Sequence, residues 1–439
     1  MKYCLPLLLL LFACAAPTEG EQAPEPELML SDEALLDKLQ QACFQYFWSG
    51  AEPNSGMARE RYHLDEPELD AHVVTSGGSG FGILAILVGM ERGFISRKEG
   101  IERLQKMADF LEGADRFHGV WPHWLDGRTG EVIPFSPKDD GGDLVETAFL
   151  AEGLLCARQY LQAGSAEEQT LASQLDELWR GIEWDWHQNG EAVLFWHWSP
   201  NHGWDMDFRL TGYNECLIAY VLGAASPTHP IAPAAYHKGW AREGAIRTSV
   251  TQYGHELTLS HNYAEAYGGP LFWSHYSFVG LDPRELADAY ANYWTHNRNH
   301  ALINYEWCVD NPEDHVGYGP NCWGLTASYS PGIFYSAHQP NNDLGVITPT
   351  AALASFPYTP KESMAALRHF HDDLGDRLWG EYGPHDAFHL GNNWFPPHYL
   401  AIDQGPIVSM VENHRSGLLW ELFMSCPEVQ RGLENLGFE

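Results

Sequence analysis

A helical hydrophobic period recurs along nearly the whole sequence, and it constrains the fold more than any other feature. The first such segment begins at Ser31, an N-cap candidate, and places Leu35, Leu36 and Leu39 on one stripe. Similar segments predict about twelve helices, near 31–48, 79–91, 96–112, 143–162, 166–183, 211–224, 236–249, 283–297, 349–356, 361–373, 406–424 and 427–436. Segments 119–126 and 131–135 predict a β-hairpin because a short Gly-containing loop joins them. Since no repeat period is visible, an all-α fold with short β-hairpins in its loops is favoured: one (α/α)6 barrel, or toroid, rather than a solenoid.

The N-terminus predicts export and lipid anchoring. The apolar run from Leu5 to Ala13 is far shorter than the roughly 20 residues that span a bilayer, so we expect a lipoprotein signal peptide over residues 1–13. The run ends in a lipobox-like Leu-Phe-Ala-Cys, which makes Cys14 the expected lipidation site; an ordinary secretory signal cut near Ala16 is the alternative. Residues 14–29 are rich in Pro, Glu and Ala and predict a flexible tether, and 30–439 predict a single catalytic domain. The expected location is the bacterial cell envelope, on the periplasmic face or the cell surface.

Charge and aromatic content narrow the class of partner. The chain has 59 acidic against 25 basic residues and a net charge of −34, which disfavours nucleic acid and anionic membrane surfaces. The 17 Trp, 20 Tyr and 20 Phe suit a neutral carbohydrate, which is held by ring stacking and carboxylate hydrogen bonds. No Cys or His spacing typical of a zinc site occurs, so no metal or other cofactor is expected. A monomer is expected, with the membrane contacted only through the lipid.

Five cysteines lie in segments whose pattern predicts their surroundings. Cys43, Cys156 and Cys216 lie in apolar helical segments and are expected in the core. Cys308 and Cys322 flank a polar loop, and the sequence leaves open whether they form a disulfide in an oxidising compartment.

Acidic side chains lie where three helices are predicted to begin. Asp143 and Glu146 have the spacing of a capping box, but Asp139 and further acids precede them, more than capping needs. Glu215 follows Thr211, the predicted cap of the next apolar helix, and Asp403 lies just before Pro406, the predicted first helical residue of another. If these helix starts converge at one end of a barrel, their carboxyl groups form one acidic pocket. Glycoside hydrolysis needs two such groups, one protonated and one ionised.

Several motifs identify a family that the chain resembles. DDGGDLVETAFL, GYNE, YGGPLFWSHYSFVGLDPR, AIDQGP and ENHRSGLLW resemble glycoside hydrolase family 144, the bacterial β-1,2-glucanases and sophorohydrolases with a glycoamylase-like domain. The resemblance covers roughly residues 30–437. It implies one (α/α)6 barrel that hydrolyses β-1,2-linked glucose polymers or oligosaccharides with inversion. It also implies that the pocket acids are Asp139, Asp143, Glu146, Glu215 and Asp403.

Roles within this set are hypotheses. We expect Glu215 to be the general acid and Asp403 the general base, while the other three acids bind sugar hydroxyls; the alternative gives one of those three the base role. Residues near the motifs are candidates for binding substrate: Trp121, His123, Trp124, Arg209, Asn214, Trp394 and Arg415.

Two other classes of function compete with this interpretation. A non-catalytic glycan-binding lipoprotein fits the aromatics and the anchor but has no need of five motif acids. A hydrolase of another glucan on the same barrel fits the fold, whereas a lyase acting on uronates would need more basic residues. Endo cleavage and sophorose-releasing exo cleavage differ in loops that close one end of a cleft, and the sequence leaves both open.

Lipidation at Cys14 has a direct test. Cells expressing the full chain should yield the protein in the detergent-extracted membrane fraction, because the lipid inserts in the bilayer. Cys14→Ala removes the acceptor thiol and should move the protein to the soluble fraction. Identical partition of the variant and the wild type would contradict the lipobox prediction.

Overall fold

The computed structural model describes residues 30–439 and is helix-rich. The predicted signal peptide, Cys14 and the predicted tether lie outside these residues. The helices are α1 Asp32–Trp48, α2 Ser76–Glu91, α3 Arg97–Gly113, α4 Leu144–Leu161, α5 Ala166–Arg180, α6 Leu217–Ala225, α7 Tyr293–Asp310, α8 Pro349–Leu353, α9 Pro360–Arg368, α10 Gly375–Leu378, α11 Ala401–Arg415, α12 Leu418–Met424 and α13 Pro427–Leu436. Short strands lie in the loops: β1 Arg61–His63, β2 Val73–Thr75, β3 Trp124–Asp126, β4 Val132–Ile133, β5 Gly142–Asp143, β6 His197–Trp198, β7 Arg247–Gln252, β8 His255–Leu259, β9 Ala327–Ser330, β10 Ile333–Ala337, β11 Trp379–Gly380, β12 Gly383–Pro384 and β13 His398–Leu400.

Helices of two kinds build the body. Nearly every side chain of α2, α4, α6, α8 and α11 is buried, including the polar side chains that α4 and α11 carry. By contrast α1, α3, α5, α9 and α13 bury one face and expose the other. The buried helix α2 packs against α4 and α11, and α4 packs against α6; the amphipathic α1 packs on α2 and α11, and α13 packs on α6. The buried helices therefore form an inner group that the amphipathic helices cover.

One cluster of buried apolar side chains extends from Leu35 in α1 to Phe438 at the C-terminus. The predicted core cysteines Cys43, Cys156 and Cys216 are confirmed within it. Cys308 and Cys322 are buried as well, and both are free thiols in this structure.

Short strands fix where the inner helices begin. Each of β2, β5 and β13 ends at the residue before an inner helix, and these strands pair with β3, β6 and β1 respectively. The backbone N–H of Thr75 donates to the Ala58 carbonyl, and that of Ala401 donates to the Glu60 carbonyl. The Asp143 N–H donates to the Trp121 carbonyl, within the segment that leads into β3. The starts of α2, α4 and α11 are thereby tied to one another through the loops that precede them.

Some predicted helix boundaries are wrong. The predicted helix 283–297 is displaced: α7 begins after Asn292, whose side chain accepts from the Thr295 N–H and caps it. In place of the predicted helix 236–249 the structure has a π-helical segment, Ala235–Trp240, and a short 3-10 helix, Arg242–Gly244, before β7. The predicted helix 406–424 is two helices, because Gly417 adopts a left-handed φ of 77° between them.

Two predicted helix starts are also wrong, and both carry acidic residues. Thr211 does not cap α6, which begins at Leu217, so Glu215 precedes the helix. Pro406 lies inside α11 rather than at its first position, since the helix begins at Ala401. Asp403 therefore belongs to the first turn of α11 and not to the loop before it. Within residues 30–439, none of the helices has the length and apolar character needed to cross a bilayer.

The close crossing of α2 and α4 makes a testable prediction. A Cβ at Gly80 would lie 2.2 Å from the Phe149 carbonyl oxygen, so Gly80→Ala must push the two inner helices apart. Overpacking of this kind costs about 1–3 kcal/mol, and we expect a clear fall in melting temperature. Gly113→Ala is the matched control, since no atom lies within 4 Å of its added Cβ. Equal melting temperatures for the two variants would contradict the packing described.

Candidate active site

Asp143 is the capping residue of α4, as its spacing predicts. One carboxylate oxygen, Oδ1, accepts from the backbone N–H groups of Val145 and Glu146 at 3.0 Å each. The other oxygen, Oδ2, lies 3.2 Å from Nδ1 of His123 and 3.6 Å from Nε2 of His197. All four interactions favour the ionised form, so Asp143 is a buried, fully partnered carboxylate.

His123 and His197 balance the negative charge of Asp143. His197 Nε2 also lies 3.3 Å from Oδ2 of Asp139. Burial opposes protonation of both rings, but Glu146 and Asp143 raise the pKa of His123 to about 10. Hydrogen bonds to Asp139 and Asp143 likewise raise the pKa of His197 to about 9, against burial. In turn the two imidazolium groups hold the pKa of Asp143 well below its usual range although burial opposes this.

Glu146 does not close the capping box. Its Oε2 accepts from the Gly77 N–H at 3.0 Å and from the Thr75 hydroxyl at 3.3 Å, which places the carboxyl at the start of α2. A Cβ at Gly77 would lie 2.2 Å from that oxygen, so a residue without a side chain is needed there. Burial, and to a lesser degree the charge of Asp143, raises the pKa of Glu146 to about 7.

Glu215 lies immediately before α6, in the wall of a cavity. The Ser277 hydroxyl donates to its backbone carbonyl, and the neighbouring Asn214 side chain accepts from the Cys216 N–H at 3.0 Å. These bonds fix the backbone and leave the Glu215 carboxyl facing the cavity. Burial raises its pKa to about 7, and the charges of Glu146 and Asp143 add to the effect. Such a carboxyl is partly protonated at neutral pH.

Asp403 faces a second buried carboxyl that has no motif of its own. Asp403 and Asp386 are each 2% exposed, and their side chains are in hydrogen-bond contact. Burial raises the pKa of Asp403 well above its usual range, and the charge of Asp386 raises it further. Burial also raises the pKa of Asp386, to about 6, although the contact with Asp403 and the Tyr329 N–H oppose this.

Two cavities adjoin these acids. The first, of about 430 Å³, we call the Trp124 cavity; it is lined by Glu60, Arg61, His123, Trp124, Phe135, Tyr329, Phe334, Tyr335, Leu400 and Ile402. The second, of about 560 Å³, we call the Glu215 cavity; its lining includes Trp196, Phe208, Arg209, Asn214, Glu215, Tyr263, Phe272 and Trp273. Strand β10 contributes Tyr335 to the first and Ala337 to the second. Both cavities are therefore walled by aromatic rings and carry acids.

Four of the seven predicted binding residues reach these cavities, whereas Trp121, Arg415 and Trp394 do not. Trp121 is 0% exposed, donates from Nε1 to the Leu111 carbonyl and lies under the Arg116 guanidinium, so it is a core residue. Arg415 lies at the far end of α11 from Asp403 and pairs with Glu33 and Asp37. Its role is structural because both partners belong to α1.

The remaining predicted residues differ in position. His123 and Trp124 line the Trp124 cavity, and Arg209 and Asn214 line the Glu215 cavity. Arg209 is partly exposed and pairs with Glu191 and Asp207. Trp394 is half-buried, pairs through its backbone with His389, and lines neither cavity.

Sequence reasoning missed three groups of the site. His197 could have been found, since Trp196 and Trp198 alternate on one face of a strand and His197 must face the other way; it pairs with Asp143 in the β5–β6 ladder. Glu60 and Asp386 lie outside any motif and are brought to the site only by the pairing of distant loops.

His123, Asp139 and Asp143 offer ligand atoms that all lie within 4.8 Å of one another, the spacing of a metal site. A histidine ligand must be neutral, however, and the raised pKa of His123 indicates an imidazolium. The pairing of imidazolium with carboxylate already satisfies these groups.

The chain is similar in sequence and fold to several known proteins. The family model "Glycoamylase: Putative glucoamylase" matches residues 207–427. An exo-β-1,2-glucooligosaccharide sophorohydrolase (non-reducing end) from Parabacteroides distasonis is 45% identical over 93% of this chain, which spans 58% of the length of that curated relative. The structure of an endo-β-1,2-glucanase from Chitinophaga pinensis, a complex with sophorotriose and glucose, is 61% identical, covers 94% of this chain and 99% of its own, and superposes with a TM-score of 0.92. An endo-β-1,2-glucanase from Talaromyces funiculosus, in complex with sophorose, is 12% identical and shares the fold with a TM-score of 0.66, covering 92% of each chain.

The two tryptophans that flank Pro122 should differ in what they stabilise. Trp121→Ala empties a fully buried site and should cost about 3–5 kcal/mol of unfolding free energy. Trp124→Ala removes a cavity-wall ring and should cost less than half as much. Urea unfolding of both variants measures the difference. A smaller loss for Trp121→Ala than for Trp124→Ala would contradict the core position of Trp121.

Proposed function

The chain belongs to glycoside hydrolase family 144, the β-1,2-glucanases and sophorohydrolases, and on this premise we propose that it hydrolyses β-1,2-linked glucans or their oligosaccharides. The observation that carries the proposal is the grouping of carboxyl groups with opposite pKa shifts at the starts of α4, α6 and α11. Asp143 is held ionised, whereas burial raises the pKa of Glu215 to about 7 and that of Asp403 well above its usual range. Acid–base hydrolysis of a glycosidic bond needs a carboxyl group that is still protonated near neutral pH, and the raised pKa of Glu215 meets this need.

A neutral, hydroxyl-rich ligand suits the cavity walls. Among residues 30–439, Nε1 of Trp124 and Nε1 of Trp196 are buried donors without an acceptor, one beside each cavity. Both carboxyl oxygens of Asp403 are buried acceptors with no partner there except the Asp386 carboxyl. A buried polar atom left unpaired costs about 1–3 kcal/mol, and sugar hydroxyls can serve donors and acceptors alike. The aromatic walls supply stacking faces for the apolar side of each ring.

The proposed mechanism is direct displacement with inversion. Glu215 in its protonated form donates its proton to the glycosidic oxygen as the C1–O bond breaks. Asp403 accepts a proton from the water whose oxygen forms the new bond to C1 from the opposite side. Asp143 is unsuited to the base role because each of its oxygens already accepts from fixed donors. Asp139, Asp143 and Glu146 bind hydroxyls and hold the charge balance with His123 and His197.

We also propose that the inner and outer helices together form an (α/α)6 barrel. Alternation along the chain between fully buried helices such as α2 and α4 and amphipathic helices such as α3 and α5 supports an (α/α)6 barrel. In that arrangement the starts of the inner helices surround one end of the barrel, where the substrate binds.

The activity is tested on linear β-1,2-glucan, with laminarin and starch as control polymers. The wild type should release β-1,2-linked oligosaccharides from the first polymer only, and the new reducing ends should appear in the α configuration by proton NMR. Glu215→Gln should lower kcat by about 10²–10⁴-fold, because it removes the transferable proton and keeps the side-chain shape.

Glu152→Gln is the matched control for that substitution. Glu152, like Glu215, is a glutamate whose pKa burial raises, but it is fully buried in the middle of α4 and lines neither cavity. Its variant should keep kcat within about twofold, and any change should appear in stability. Full activity of Glu215→Gln, or cleavage of starch instead of β-1,2-glucan, would refute the proposal.

A further inference from the structure

Two buried carboxyl groups from different segments meet at the start of α11. Asp386 lies in the segment between β12 and β13, and Asp403 lies in the first turn of the helix that follows β13. Each is 2% exposed, and their side chains are in hydrogen-bond contact. Neither residue lies in an ion pair among residues 30–439, in contrast to Asp143 with its two histidines.

Hydrogen bonds hold Asp386 and Asp403 in place. The Asp386 Oδ2 accepts from the Tyr329 N–H of β9 at 2.9 Å, and the Asp386 N–H donates to the His398 carbonyl at 2.9 Å. The Thr350 hydroxyl donates to the Asp403 backbone carbonyl at 2.9 Å. These bonds leave Oδ1 of Asp386 and both carboxyl oxygens of Asp403 without another protein donor in the described chain. The two carboxyl groups can satisfy one another only if they share a proton.

The Arg61 guanidinium, which lines the Trp124 cavity, pairs with Glu60 and with neither aspartate, and the other titratable groups described around the pair add no positive charge. Glu60 is acidic and raises the pKa of Asp403 further. Tyr276 and Tyr335 face Asp403, and Tyr329 faces Asp386; burial raises the pKa of each, so all three are neutral. Burial lowers the pKa of His385 and of His398 to about 4, so these histidines are neutral as well. Two adjacent buried carboxylates without a cation cannot both be ionised, and one proton remains between them.

We propose that Asp386 is a positioning residue for Asp403: the two carboxyls share one proton, and this pair, rather than Asp403 alone, takes the proton of the attacking water. The inference rests on the proposed hydrolase function. In the step, the shared proton stays between the two carboxyls, and a free Asp403 oxygen accepts the second proton as the water oxygen bonds to C1. The pair changes from a single negative charge to neutral and returns the proton to solvent after the product leaves.

Sharing a proton makes Asp403 usable as a base despite its burial. A singly protonated pair still carries one negative charge, and it loses basicity only when the second proton binds. Burial raises the pKa of Asp386, which moves this second protonation toward the range where a general base is effective. The position of the acidic limb of the pH–activity profile should therefore depend on both Asp386 and Asp403.

Asp386→Asn tests the pair in the full-length enzyme. The Asn carbonyl can still accept from the Tyr329 N–H and its amide can donate to Asp403, so the geometry is kept while the negative charge is lost. The pKa of Asp403 then falls, and the acidic limb of kcat/KM on β-1,2-glucan should move down by at least about one pH unit. Because a weaker base remains, kcat should fall by about tenfold with KM within about twofold.

Asp343→Asn is the matched control. Asp343 is also a buried acceptor in a hydrogen-bond network, with the Trp307 indole, the Tyr318 hydroxyl and the Gly345 N–H, but it lines neither cavity. Its variant should change stability and leave the pH profile in place. A profile of Asp386→Asn that coincides with those of the wild type and Asp343→Asn would overturn the proposal.

Thermal unfolding against pH tests the shared proton without relying on activity. A carboxyl whose pKa is raised in the folded protein keeps its proton above about pH 4, whereas the same carboxyl is ionised in the unfolded chain. The free energy of unfolding therefore decreases as pH rises from 4 to 8. Asp386→Asn removes this loss of stability. The melting temperature of the variant minus that of the wild type should therefore increase as pH rises from 4 to 8. Asp403→Asn should show the same trend and serves if the first variant folds poorly. Parallel curves for the variants and the wild type would overturn the shared proton, whereas a wild type inactive on β-1,2-glucan would overturn the proposed function alone.

Discussion

The structure depends on how the first N–H groups of its buried helices are satisfied. Water cannot reach the start of a helix that is buried on every side, so protein acceptors must take its free N–H groups. Asp143 does this for α4, and Glu146, itself in the first turn of α4, does it for α2 through Gly77. The need to cap inner helices therefore brings carboxyl groups to one place. Their chemistry is a consequence of that position.

Once gathered, these acids differ because their partners differ. Asp143 has two backbone N–H donors and two imidazolium groups, and it is ionised. Glu215 has none of these and faces a cavity, and Asp403 has only another carboxyl. The same chemical group, a carboxyl, is thus a fixed anion at Asp143, and we propose that it is a proton donor at Glu215 and half of a shared-proton pair at Asp403.

Helix bounds and caps that depend on the local sequence pattern are predicted correctly from the sequence. The bounds of α13 agree to the residue, α1 begins one residue after its predicted N-cap, and Asp143 caps α4 as its spacing indicates. Long-range contacts decided the rest. The sequence pattern predicts a helix start at Pro406, but α11 begins at Ala401, directly after the strand β13 that pairs with β1. Trp121 resembled a binding residue by its position before the acids, yet its ring turns into the core, and only the tertiary structure shows which neighbour of Pro122 faces the cavity.

The central claim is that the carboxyls at the helix starts form one acid–base site across which the substrate lies. A crystal structure of the Glu215→Gln variant with a β-1,2-linked glucose oligosaccharide tests it most directly. The account predicts sugar rings in both the Trp124 cavity and the Glu215 cavity, with the bridging glycosidic oxygen about 3 Å from the side-chain amide at position 215 and a water beside Asp403. An oligosaccharide bound with its glycosidic oxygens beyond hydrogen-bond reach of position 215, or outside both cavities, would contradict it.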